Sequence, residues 1–440
     1  MRHRLPPAVA ERLQALSERP IEPAEKGFGS LSARRGAGRV SAASLAAARL
    51  PLHAAGFTYP LLTVRDTALQ HNVAAMAAYC ARTGVALAPH GKTAMSPELA
   101  ALQLAHGAWG ITVASIGQLQ MYRAFGFPRL LLANELVDEA GLAWLAGELA
   151  ADPGFEAYCY VDSLTGVQIL DRALARHRAG RALPVLVEIG PAEGGRTGCR
   201  TDEQALEVAK AADATGTLAV AGVAGWEGTL HGETQAETLE LVATFCRRLR
   251  GFADTVAAAI GVGAGRDGLV VTAGGSASFE VVARELTAPG ATPVTAILRS
   301  GCYLTHDHGL YARVSPAARG VAGAPEFRPA LELWALVASR PEPGLALLTA
   351  GRRDVGFDSG FPVPLRVVRR DGRRTGADGW RVTGLNDQHA FLRLPEDAAL
   401  APGDLVSLGV SHPCTTLDKW RVLVIVNDDD RVIDAVHSFF

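Results

Sequence analysis

At 440 residues the chain is too long for one compact core of ordinary size, so two domains are expected. A hydrophobic content of 48% with 20% charged residues describes a folded globular protein, and a net charge of -2 argues against nucleic acid or an acidic membrane surface as partner. No apolar run approaches the roughly 18 to 20 residues of a membrane helix, the opening Met1-Arg2-His3-Arg4-Leu5-Pro6-Pro7 lacks the apolar stretch of a secretory signal, and the six cysteines are scattered without the spacing of a disulfide framework, which points to a reducing cytoplasm.

From Arg2 to about Gly56 the chain is rich in Ala, Arg and Pro and reads as helical pieces joined by loops. Short apolar runs then recur, each followed by a helix-like segment: Leu61-Val64, Val85-Ala88, Gly110-Ala114, Leu130-Ala133, Ala157-Val161, Pro184-Ile189, Val220-Ala224, Leu269-Thr272 and Val294-Leu298. Continuous apolar runs alternating with helices mark a parallel sheet covered on both faces. Nine runs are one too many for an eightfold barrel; the eight from Val85 onward close one of ordinary size, and Leu61-Val64 then belongs elsewhere. An open doubly wound sheet is the alternative arrangement of the same runs. Beyond Leu310 the runs Glu332-Val337, Leu345-Thr349, Leu365-Arg369, Arg381-Leu385, Ala390-Leu394, Leu405-Leu408 and Val422-Asn427 are short, alternating and separated by Gly, Pro, Asp and Asn, the texture of an antiparallel β domain. The expected division is residues 1–65 as an extension and strand packing with the β domain, 66–310 as an α/β barrel, and 311–440 as the C-terminal antiparallel β domain.

Lysine is scarce: Lys26, Lys92, Lys210 and Lys419 are its only copies among 43 basic residues. Arg stays protonated, whereas Lys can lose its proton and form a Schiff base, so a lysine retained in an arginine-rich chain invites a chemical role. Lys92 follows the run Val85-Ala88 and the turn Pro89-His90-Gly91, at the strand end where barrel enzymes gather their reactive groups. His90-Gly91-Lys92-Thr93 is not a nucleotide phosphate loop, because that motif needs glycine where Ala86 stands. A surface lysine at a strand end is the plainer reading of the same residue.

Three further groups stand out. Gly274-Gly275-Ser276 follows the seventh barrel run, a recurrent phosphate position, although the triplet alone equally marks a plain turn. Glu188 to Gly198 leaves a strand for a glycine-rich loop carrying Arg196, whose guanidinium suits a phenolate or carboxylate and is otherwise a solvated loop arginine. In His412-Pro413-Cys414 an extended backbone would project imidazole and thiol to one face, a pair that suits zinc with positions left open for water or substrate. Two ligands are fewer than zinc usually takes, and a buried cysteine beside a hydrogen-bonded histidine is the alternative. His389 is either a further pocket residue or a surface histidine.

Pro60-Leu61-Leu62-Thr63-Val64-Arg65-Asp66, His90-Gly91-Lys92-Thr93, Arg196-Thr197-Gly198, Gly274-Gly275-Ser276 and His412-Pro413-Cys414 occur in one order. In that order the chain, from about Pro60 onward, resembles the D-serine dehydratase and D-threonine aldolase group of alanine-racemase-fold pyridoxal phosphate enzymes. The resemblance implies a (β/α)8 barrel of alanine racemase type with a C-terminal antiparallel β domain, acting as a homodimer. It implies covalent attachment of pyridoxal 5'-phosphate to Lys92, phosphate binding by Gly274, Gly275, Ser276 and Tyr303, and Arg196 against the ring. It further implies zinc on His412 and Cys414, where aldolase relatives tend to carry Asp at the second position. The sequence departs from the group at Ala277-Ser278 and in its first fifty or so residues.

The activity implied is β-elimination from a D-3-hydroxy amino acid, D-serine being the simplest, to a 2-oxo acid and ammonia. Hydroxide is a poor leaving group and calls for a Lewis acid, the task of the zinc pair. Retro-aldol cleavage of the same substrates, racemisation, and a non-catalytic cofactor carrier are the competing expectations.

Overall fold

Strand β1 (Leu61–Arg65) stands apart from the eight strands that follow it in the computed structural model, which describes residues 4–32, 39–53, 56–261 and 268–440. Those eight are β2 (Ala86–Leu87), β3 (Ile111–Val113), β4 (Arg129–Glu135), β5 (Glu156–Val161), β6 (Leu183–Ile189), β7 (Leu218–Gly225), β8 (Leu269–Ala273) and β9 (Val294–Leu298). All pair in parallel, in the order β2-β9-β8-β7-β6-β5-β4-β3. The ring is completed by a parallel bridge between His90 and Thr112, with the Thr112 N–H donating to the Pro89 carbonyl at 3.0 Å and the Trp109 N–H to the Leu87 carbonyl at 2.7 Å. The barrel expectation from Val85 onward therefore holds, and the open sheet does not.

Each strand reads as an unbroken apolar run because its inner face fills the barrel while its outer face meets helices. Ala88, Leu131, Tyr160, Leu186, Ala224, Val270 and Ile297 form the interior, and each large apolar side chain so buried stabilises by about 1.5–3 kcal/mol. Gly222, with φ of 153°, permits the closest strand approach: a Cβ there would lie 1.9 Å from the Val270 carbonyl oxygen. Ser115, Asp138, Ser163, Thr201 and Thr234 open the helices after β3 to β7, each accepting a backbone N–H three residues on, worth about 1 kcal/mol apiece. These caps fix where each helix starts, and so the length of the loop at the carboxyl end of each strand.

The remaining strands are β10 (Leu331–Glu342), β11 (Leu345–Leu348), β12 (Val363–Val368), β13 (Arg374–Gly376), β14 (Arg381–Leu385), β15 (Ala390–Arg393), β16 (Leu405–Gly409), β17 (Val422–Val426) and β18 (Val432–His437). They pair antiparallel in the order β13-β12-β16-β10-β1-β17-β18, with β11, β15 and β14 branching from β10. β1 enters between β10 and β17, and its pairing with β17 is the one parallel contact of this sheet among the described residues. Strands β13 and β18 have no counterpart among the apolar runs, β13 because all three of its residues are exposed. Early helices Gly29–Ser32 and Ala42–Ala48 lay Leu31, Ala42 and Leu45 into one core with Trp334, Val424 and Val432. Residues 1–3, 33–38 and 54–55 of the expected helical extension lie outside the described residues.

By contacts the chain forms two compact units. One takes in Ala77–Lys92 and Gln103–Gly301 with the residues up to Val9; the other comprises Ala10–Met76, Thr93–Leu102 and Cys302–Phe440.

Candidate active site

In the barrel unit, Lys92 sits in a single 3-10 turn, Gly91–Thr93, just past β2, and its side chain is exposed. Buried Tyr122 donates its hydroxyl to the Gly91 carbonyl at 3.0 Å, and a Cβ on Gly91 would fall 2.6 Å from the same ring, so only glycine lets the turn close. Burial, then the positive charges of Lys92, Arg299 and Arg196, push the His90 imidazole well below its usual range, so it is neutral. Its Nδ1 has no hydrogen-bond partner. Arg299, 4% exposed, donates to the Thr272 hydroxyl at 2.8 Å and to the Gly225 carbonyl at 2.6 Å.

The loop carrying Arg196 is organised by Arg200, whose guanidinium donates to the carbonyls of Gly195, Arg196, Thr197 and Gly198. Arg196 stacks over Trp226 at 4.5 Å. A Cβ on Gly275 would lie 3.9 Å from Trp226 Nε1, so this indole connects the Arg196 loop with the Gly274-Gly275-Ser276 turn. Glu227, 2% exposed, accepts the N–H of Gly274 at 3.0 Å and of Gly275 at 2.7 Å. The two glycine donors that the sequence offers to a phosphate are thus engaged by a carboxylate, which holds the turn in shape. The following helix, Phe279–Leu286, starts at Ser278 without a side-chain cap, unlike the capped helices after β3 to β7.

Three carboxylates meet inside the same barrel: Glu135, Asp162 and Glu188 each place an oxygen within 4.8 Å of the others. Burial, then Glu188 and Asp162, push the Glu135 carboxyl up to about 8. Glu135 Oε1, Glu188 Oε2 and the Tyr160 hydroxyl have no partner. Orphaned buried polar atoms beside two arginines and an exposed lysine, at the carboxyl ends of barrel strands, suit a polar ring with an anionic substituent, and pyridoxal phosphate fits that description. Position at a strand end was the available signal for these carboxylates; nothing local marks Arg299 or Glu227.

The second candidate site lies in the other unit. His412 and Cys414 do come together, but not through extended backbone: Pro413 is helical (φ -62°, ψ -47°) and starts the short helix Cys414–Leu417. The expected i, i+2 strand geometry is therefore replaced by a turn into a helix, because proline's fixed φ also suits a first helical turn. His412 Nδ1 pairs with Asp358 Oδ2 at 2.6 Å, and Thr415 donates to the other Asp358 oxygen at 2.6 Å. Hydrogen bonding to Cys414, then Asp358, raises the imidazole to about 9. Hydrogen bonds from Cys302, His412 and Thr93 outweigh burial and hold the Cys414 thiol far below its usual value, as a thiolate. Cys302 Sγ is 3.4 Å from Cys414 Sγ, and Thr93 Oγ1 lies 3.6 Å from Cys414 Sγ and 3.9 Å from Cys302 Sγ. A thiolate beside an imidazole whose Nδ1 is oriented by a carboxylate, leaving Nε2 to coordinate, is a donor set that fits zinc. Sequence reading missed Asp358 and Cys302, which are distant in the chain. Tyr303 belongs to this unit, 2% exposed with its ring 5.5 Å from Phe327; His389 is exposed.

Two family models match: "Alanine racemase, N-terminal domain" over residues 64–266 and "Putative serine dehydratase domain" over residues 330–426. Fold and family define a pyridoxal phosphate enzyme of the alanine racemase fold, and a lyase. The chain is 30% identical over 374 residues to a D-threonine aldolase of Arthrobacter sp., covering 84% of this chain and 89% of that one. It is 27% identical to the D-threo-3-hydroxyaspartate dehydratase of Delftia sp. (strain HT23), covering 79% and 88%. The crystal structure of D-threonine aldolase from Filomicrobium marinum superimposes with a TM-score of 0.72 at 26% identity, covering 88% of this chain and 96% of that one. The chain belongs to the D-serine dehydratase and D-threonine aldolase group of this fold.

Proposed function

We propose that the protein catalyses β-elimination of water from a D-3-hydroxy amino acid, D-serine being the simplest, to give a 2-oxo acid and ammonia. Lys92 is the residue assigned to carry pyridoxal phosphate, with Gly274, Gly275, Ser276 and Tyr303 assigned to its phosphate and Arg196 to its ring; the phosphate would have to displace the Glu227 carboxylate from the N–H groups of Gly274 and Gly275. Bound there, the cofactor supplies an electron sink for the charge left when the α-proton departs. Lys92 Nζ takes that proton. His412 and Cys414 would hold a divalent ion, proposed as zinc, which would supply Lewis acidity to the hydroxyl that leaves. The reading extends to a homodimer in a reducing compartment, the latter supported by six cysteines that are all unpaired.

One observation supports elimination in particular. His412 is held through Nδ1 by Asp358 at 2.6 Å, and its Nε2 is assigned in this reading to the metal. It has no lone pair free to take the hydroxyl proton that retro-aldol cleavage must remove, and a leaving hydroxide needs no such base. Retro-aldol cleavage stands as the second reading, because D-threonine aldolases are among the relatives, at 30% identity in sequence and 26% in the solved structure. Incubation with D-threonine separates them. Formation of 2-oxobutyrate and ammonia is expected; glycine and acetaldehyde would overturn elimination in favour of cleavage.

A further inference from the structure

Lys26 is the one lysine of this arginine-rich chain to fall in its first fifty or so residues, where the sequence departs from its group. Its backbone is anchored. Neighbouring Phe28 is fully buried in the core with Trp334, Val424 and Val432, and the Thr58 N–H donates to the Gly27 carbonyl at 3.0 Å. The Lys26 ammonium donates to Asp354 Oδ1 at 2.9 Å and to the Arg353 carbonyl at 2.6 Å, and lies 4.9 Å from the centre of the Trp420 ring. An ion pair between two exposed groups stabilises little. Asp354, however, is 1% exposed, and Lys26 is its one cation among the described residues.

The loop held in this way is the one that carries Asp358. The second Asp354 carboxylate oxygen accepts the Gly351 N–H at 3.0 Å, and the Asp354 carbonyl accepts Trp420 Nε1 at 2.9 Å. Two residues on, the Gly356 N–H donates to the Thr416 hydroxyl at 3.0 Å, and a Cβ on Gly356 would lie 2.2 Å from Thr415 Oγ1. The Ser411 hydroxyl is shared between the Gly356 and Gly360 carbonyls, one on either side of Asp358. Residues 351–360 therefore wrap the His412 turn, with Asp358 on His412 Nδ1 and Lys26 at the start of the wrap. Lysine suits that place because one compact ammonium can bond a carboxylate and a carbonyl and still face an aromatic ring.

Resting on the reading that His412 and Cys414 hold a metal, we propose that Lys26 is a positioning residue for that site: by neutralising Asp354 it holds the loop that aims Asp358 at His412. The N-terminal extension thereby has a task, which is to set the imidazole from outside the loop. Without the ammonium, Asp354 is a buried carboxylate with no cation, a cost the loop relieves by moving toward water. Asp358, four residues on, moves with it, and His412 loses the partner that fixes its ring.

The test is the zinc affinity of the full-length, cofactor-loaded protein, measured by competition with a chelator. Lys26→Met should lower it about 10-fold, the small end of what loss of an outer-shell partner costs. Lys26→Arg, which keeps the charge, should retain most of the affinity. The double variant Lys26→Met with Asp358→Asn should bind zinc no more weakly than Asp358→Asn alone, because both changes remove the same restraint. A lysine that serves stability only would give losses that multiply. Wild-type affinity in Lys26→Met, an equal loss in Lys26→Arg, or multiplied losses in the double variant would overturn the inference and leave His412 and Cys414 in place. A wild type that takes up no zinc would remove the metal reading, and this inference with it. Should Lys26→Met fail to fold, Asp354→Asn breaks the same pair without stranding a buried charge. The same fall of about 10-fold is expected there, and an unchanged affinity would overturn the proposal equally.

Discussion

Asp358 shows how one exposed carboxylate can govern a site. With one oxygen on His412 Nδ1 and the other on the Thr415 hydroxyl, it fixes both the rotation and the tautomer of the ring, and so which nitrogen is presented. Asp358→Asn keeps the shape and loses the charge. Zinc affinity, measured by competition with a chelator, should fall about 10- to 100-fold while the far-ultraviolet spectrum stays unchanged. An affinity equal to wild type would show that the imidazole is oriented by something else. Gly91 is the corresponding small residue beside Lys92, where the Tyr122 ring leaves no room for a methyl group.

At the scale of elements, β1 is held in the sheet by more than its ladder. Arg65 at its end meets Glu332 of β10 and Asp430 at 3.0 Å each, and Arg366 of β12 meets both carboxylates at 2.6 Å. Glu332 also accepts the Ser407 hydroxyl of β16 at 2.8 Å. Burial raises both carboxyls, but Arg366 and Arg65 win and hold them below the usual range. Arg366→Ala leaves Glu332 facing Arg65 alone and Asp430 facing Arg65 and the half-exposed Arg374 at 3.1 Å, and should cost the protein toward the lower end of about 3–5 kcal/mol in urea unfolding. The sign with pH follows from the depressed pKa values: this stabilisation is present above the ordinary carboxylate range and is lost as pH falls through the lowered folded values. The variant should therefore lose less stability than wild type on acidification. A cost below about 0.5 kcal/mol, the ordinary range for a surface change, would mark the network as ornamental.

For the molecule as a whole the barrel interior sets an opposite pH trend. Glu135 is pushed from 4.5 up to about 8 by burial and then by Glu188 and Asp162. Its folded form binds a proton that the unfolded chain has released, so stability falls as pH rises from about 4.5 to about 8 and is flat beyond. Glu135→Gln should flatten the thermal-unfolding midpoint across that window. A wild-type midpoint independent of pH there, or an equal slope in the variant, would mean that the carboxyl is already ionised. The carboxylate group is also why no simple core rule describes this barrel: polar atoms without partners are left inside it, as expected where a ligand completes a site.

How much of this could be read from the chain depends on the range of the interaction. The eight barrel strands were legible because an unbroken apolar run reports burial on two faces, a property each segment carries locally. Leu61-Val64 was separable from them by count, and the β domain by its alternation. Lys92, His412 and Cys414 were legible as types, since amine, imidazole and thiol announce their chemistry in any fold. Folding alone set Cys302 against Cys414 across 112 residues, Asp358 against His412 across 54, and Glu227 against the N–H groups of Gly274 and Gly275. It also turned Pro413 into a helix start where extended backbone was expected. Those contacts depend on strand order and packing register, which bring together groups whose own neighbours in the chain carry no trace of the partner.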